Sequence, residues 1–91
     1  MVNFVDVNTY SGIITFWREG HKGQEFPIEV SDLQLESYLL DYKDRLTIEE
    51  IQNLTQVEKE TIICEWYVNT QDSPTSDWEY ESVQLLRTTK T

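Results

Sequence analysis

Between Gln24 and Val30 the chain alternates strictly, with Phe26, Ile28 and Val30 on one side and Glu25, Pro27 and Glu29 on the other. A period of two marks a half-buried antiparallel strand, and Pro27, with no N–H to give to a ladder, predicts an edge position or a bulge. Upstream, Val2, Phe4, Val5 and Val7 predict a short first strand, Asn8 to Gly12 a turn, and Ile13 to Trp17 a second strand. Gly20-His21-Lys22-Gly23 reads as a hairpin loop whose glycines can take positive φ. At Ser31 the period changes. Ser31 and Gln34 form a capping box, and Leu35, Tyr38, Leu39 and Tyr42 recur at helical spacing, which predicts a helix from about Asp32 to Asp44. Thr47 and Glu50 form a second box, opening a short helix with Ile48, Ile51 and Leu54 that ends near Asn53 to Gln56.

From Thr61 to Val68 the residues are β-branched and aromatic, with Ile62, Cys64, Trp66 and Val68 on one side, which predicts a strand; Val57 to Glu60 either extends a helix into it or begins it. Asn69 to Ser76 is rich in Asp, Ser, Thr and Pro and reads as an exposed loop. Asp77 to Leu86 predicts a final strand with a bulge near Ser82, where the apolar side changes, and Arg87 to Thr91 a frayed tail. The expected order is therefore β-β-β-α-α-β-β: an α+β domain with helices on one face of an antiparallel sheet of four to five strands. Its 91 residues suffice for one core, so residues 1–91 are read as a single domain.

Charge narrows the partners. Seventeen Asp and Glu against seven Lys and Arg give a formal charge of −10. Such an excess opposes a direct grip on a nucleic acid backbone or an anionic membrane and favours a basic partner. No apolar run approaches the roughly 20 residues that span a bilayer, and Met1 to Asp6 lack the pattern of a signal peptide. With Cys64 the only cysteine, no intramolecular disulfide forms, and a cytoplasmic protein is expected.

Candidate chemistry is sparse. His21 lies in a glycine-flanked turn and Cys64 among bulky apolar residues, so a Cys and His nucleophilic pair has little support. One His and one Cys fall short of the four ligands of a structural zinc site. Asp72, Asp77, Glu79 and Glu81 cluster in sequence, yet they lack the glycine and glutamate positions of an EF-hand loop. Three glycines, Gly12, Gly20 and Gly23, make no phosphate-binding loop. No catalytic residue, metal or cofactor is expected. A small metal-dependent hydrolase, the alternative from another class, would need three or more carboxylates converging in the interior.

The carboxylates themselves then become the candidate surface. Alternate strand residues stand about 6.8 Å apart, comparable to neighbouring phosphates on a nucleic acid strand. Glu79 and Glu81 have this relation, Glu25 and Glu29 repeat it at double the step, and Asp32 and Glu36 stand one helical turn apart with Asp41 and Asp44 beyond. Trp78 and Tyr80 are candidate anchors beside them. Such rows could occupy a basic groove built for DNA or RNA. The expected protein is a non-enzymatic binder of a basic, nucleic-acid-handling protein, acting as a nucleic acid mimic. In charge and size it resembles the small acidic inhibitors of nucleases, restriction systems and CRISPR effectors carried by phages and mobile elements. An antitoxin or immunity protein plugging a basic toxin has the same features. Both a monomer and a homodimer are compatible with the sequence.

Overall fold

A computed structural model of the chain describes residues 6–40, 45–71 and 80–90. Three strands and three helices follow the order β1 (Asn8–Trp17), β2 (Gln24–Ser31), α1 (Asp32–Leu39), α2 (Ile48–Gln52), α3 (Gln56–Thr70) and β3 (Tyr80–Lys90). The strands form one antiparallel sheet in the order β2-β1-β3, and the class is α+β as expected, though with three strands among the described residues instead of four or five.

The core lies between one face of this sheet and the helices. Tyr10, Ile14 and Phe16 of β1, Ile28 and Val30 of β2 and Val83 of β3 meet Leu35 and Leu39 of α1, Ile51 of α2, and Ile63 and Trp66 of α3. Phe16 sits at its aromatic end, edge-on to Phe26 with ring centroids 5.9 Å apart and tilted against Tyr67 at 6.2 Å. Pro27 lies on β2, an edge strand, where its missing N–H costs no ladder bond. Gly20 takes φ of 78° in the β1–β2 turn, as its place there required.

Where the fold departs from the expectation, the causes are local. Thr61 to Val68 is helical. Thr55 and Glu58 form a third capping box, in which the Thr55 hydroxyl accepts from Glu58 N–H at 3.2 Å and the Glu58 carboxylate accepts from Thr55 N–H at 3.0 Å. With the helix started there, Ile63 and Trp66 fall on its inner side at i, i+3, and that burial outweighs the modest helix penalty of the β-branched Thr61, Ile62 and Ile63. The predicted turn at Asn8 to Gly12 is the first half of β1, the central strand, and Tyr10 within it is fully buried. Arg87 to Lys90 is strand and not a frayed tail, because these residues pair with Ser11 to Asn8. The first helix is described to Leu39, and positions 41–44 of the range predicted for it lie outside the described residues, as do most of the first predicted strand and positions 77–79 of the last.

The bulge expected near Ser82 falls instead at Leu86. Ser11 pairs with Arg87 but Gly12 with Leu85, so one residue of β3 is left over. The extra residue brings β3 close to Gly12: a Cβ there would collide with the Gln84 carbonyl oxygen and come within 2.9 Å of Leu85 Cα. Gly12 is thus a glycine of close backbone approach, not of a turn. Glu60 on α3 accepts the Leu85 N–H at 2.8 Å, satisfying a donor at the irregularity.

Candidate interaction surface

The helices cover one face of the sheet and, among the described residues, leave the other open. Alternation sends Ser11, Ile13, Thr15 and Trp17 of β1 to that open face, and the pairing register builds rows across it: Glu29, Ser11 and Arg87; Pro27, Ile13 and Gln84; Glu25, Thr15 and Ser82. At the end of the face Trp17 pairs with Tyr80 and their rings stack at 5.3 Å with an interplanar angle of 22°. Trp17 also lies where a side chain on Gly23 would have to be, with its Nε1 only 2.8 Å from the position of such a Cβ. The indole is therefore held between a glycine and a tyrosine ring, while Tyr80 remains 55% exposed.

Of the sequence-predicted site residues, the structure brings Glu25, Glu29 and Tyr80 to this open face. Both glutamates are exposed on edge strand β2, four residues and so about 14 Å apart. Glu81 is exposed but faces the helical side, since its partner is the inward Phe16. Glu36 is half-buried on α1, in the helical layer. Trp78 and Glu79 lie outside the described residues, as do Asp41 and Asp44.

Asp32 corrects the expected helical row most sharply. Expected as part of the acidic surface, it is fully buried, the one buried charged side chain among the described residues. Its carboxylate ties three elements together: Oδ1 accepts the Tyr10 hydroxyl at 2.6 Å, and Oδ2 accepts the Asn8 N–H at 2.9 Å and Gln52 Nε2 at 2.8 Å. Gln52 Nε2 also donates to the Asp6 carbonyl at 2.6 Å. The first position of α1 places this anion at the helix's positive end, which adds to its stabilisation. Burial first, and then the bond to Asp32, push the Tyr10 hydroxyl well above the ordinary tyrosine range, so it stays a donor. Lys59 Nζ lies 5.3 Å from the Tyr10 ring centroid, bringing a cation near the network through the ring face. Nothing in the spacing around Asp32 announces this role; an acid just after an N-cap reads equally as a solvated dipole partner.

Cys64, half-buried on α3 and not in a strand, carries a thiol pushed up to about 11 by burial, with Glu81 and Glu65 adding to the effect. Its thiolate population at pH 8 should be about a hundredfold below that of a cysteine at the reference value of 9.0. Iodoacetamide should therefore label it far more slowly in the folded protein than in urea, with the folded rate still climbing with pH up to about 11. Equal rates in the two states would contradict the placement.

On the helical side, Leu33, Tyr38, Trp66 and Thr70 line an open groove of about 390 Å³ between α1 and the end of α3. Among the described residues no three His, Cys, Asp or Glu side chains group closely enough to hold a metal ion, and no helix is long and apolar enough to cross a membrane. No protein-family model, curated protein or solved structure matches this chain.

Proposed function

We propose that this chain is a small acidic binding protein, without catalytic activity, whose open sheet face engages the basic nucleic-acid-binding surface of a nuclease or another nucleic-acid-handling enzyme and inhibits it. The supporting observation is the pairing of Glu25 and Glu29, spaced along one edge of that face, with the stacked Trp17 and Tyr80 at its end. Carboxylates in a row supply electrostatic steering toward Lys and Arg that ordinarily hold phosphates, and an aromatic pair already fixed by stacking supplies an anchor with little side-chain entropy left to lose. The charge of −10 extends the same field beyond the contact itself. A protein of the phage or mobile-element inhibitor type, directed at a restriction or CRISPR enzyme, would use a surface of this kind.

The test begins with affinity capture from a host lysate at low and high salt. A captured nucleic-acid-handling enzyme is then assayed for activity with the wild-type chain and with Glu25→Lys/Glu29→Lys. Inhibition that weakens steeply with salt, and falls by about tenfold or more in the double reversal, is the expected result, since each reversal replaces attraction by repulsion. Salt-insensitive binding, or undiminished inhibition by the double variant, would refute the reading.

A further inference from the structure

Among the described strands the sheet ends on two unlike edges. β2 carries Pro27 and the outward Glu25 and Glu29, devices that discourage a further strand. β3 carries neither proline nor glycine over its 11 residues, pairs only with β1 among the described strands, and exposes Leu86 by 60% at its centre. Its charges are also polarised along its length: Glu81 lies near one end, Arg87 and Lys90 near the other. An edge that is acidic at one end, basic at the other and apolar in the middle is complementary to itself when reversed.

The bulge decides the register. Before it, Glu81, Val83 and Leu85 share the helical side and Ser82 and Gln84 the open side; after it, Arg87 and Thr89 share the open side with Ser11 and Thr9, and Thr88 and Lys90 the helical side with Tyr10 and Asn8. Two β3 strands running antiparallel can keep like sides together over almost their full length when Glu81 faces Lys90, Ser82 faces Thr89, Val83 faces Thr88 and Gln84 faces Arg87. Leu85 and Leu86 of both copies then meet at the two-fold axis. In an unbulged strand this odd-numbered offset would set inward residues against outward ones.

We propose that two copies of this chain associate through their β3 edges in this register, forming a six-stranded sheet closed by two Glu81–Lys90 pairs and interrupted only at the axis, where each Leu85 N–H stays with Glu60. Both charged residues lie on the helical side, so the open faces of the two copies run on side by side and remain free. The occupant is thus a second copy of this chain. The inference is independent of the proposed inhibition, because neither Glu81 nor Lys90 belongs to the open face.

Sedimentation equilibrium at low salt tests it with the wild type, Glu81→Lys, Lys90→Glu and the double exchange. The wild type should be dimeric. Each single reversal places like charges opposite each other twice per dimer and should raise the dissociation constant about tenfold, and the double exchange should restore it. In parallel, hydrogen exchange on the wild type should show protection of β3 amides that grows with protein concentration. A wild type that is monomeric at every soluble concentration, single variants that dimerise like the wild type, or β3 protection independent of concentration would each overturn the proposal.

Discussion

Asp32→Ala is expected to destabilise the protein by about 3–4 kcal/mol, the largest effect of any single truncation among the described polar residues. The reason is the number of donors that depend on one carboxylate. Removing it leaves the Tyr10 hydroxyl, the Asn8 N–H and one Gln52 amide hydrogen without their acceptor in or beside the core. Each orphaned buried donor costs about 1–3 kcal/mol, and the relief of no longer burying an anion offsets only part of the sum. In a domain of this size each kcal/mol lowers the melting temperature by about 4–8 °C, so the loss should be visible in a simple melt and in the urea midpoint. Tyr10→Phe removes one bond to a charged acceptor and should cost about 1.5–3 kcal/mol. Stability of Asp32→Ala within experimental error of wild type would mean that the network does not hold the three elements together.

Gly12→Ala should be nearly as damaging, by about 2–3 kcal/mol, although it adds a single methyl group. That methyl would meet backbone, the Gln84 carbonyl and Leu85 Cα, and neither can swing aside as a side chain could. Relief requires β3 to lift from β1 at the bulge, which would also pull the Leu85 N–H from Glu60. Urea unfolding measures this directly, and Gly23→Ala is an informative control. There the obstructing group is the Trp17 side chain, which can move, so the stability loss should be smaller and the Trp17 fluorescence should change. If Gly12→Ala were tolerated as well as Gly23→Ala, the close strand approach at the bulge would be wrong.

These two sites also mark where sequence pattern and structure part. The strict alternation of β2, the capping boxes at Ser31 and Thr47, the positive-φ turn at Gly20 and the edge position of Pro27 could all be read from neighbouring residues, because each is decided by neighbouring residues. The third box at Thr55 is equally local, and in the fold it outweighs the β-branched composition of Thr61 to Ile63. Gly12 is different: an Asn-Thr-Tyr-Ser-Gly run has turn chemistry, and only the arrival of β3, some seventy residues later, turns its glycine into a close-packing requirement. Asp32 is non-local in the same way, since its partners on β1 and α2 are 20 to 24 residues distant. Of the candidate surface, the alternation of Glu25 and Glu29 was legible; their company on one face with Trp17 and Tyr80 depended on strand order.

The helix starts have an electrostatic consequence for the whole molecule. A helix N-terminus is a small positive pole, and in a chain carrying −10 it would be a natural place for an anion to settle. Here each of the three is closed from within: Asp32 sits in the first turn of α1, Glu49 and Glu50 in that of α2 and Glu58 in that of α3, and at every one a capping box consumes free amides. At Glu58 the bonds to Thr55 hold the carboxyl below its ordinary value, so that pole stays neutralised even under mild acid. Backbone dipoles therefore add little positive potential to relieve the surface. The net negative charge is thus left to the side chains alone, with Arg87 and Lys90 at one end of β3 as its local exception.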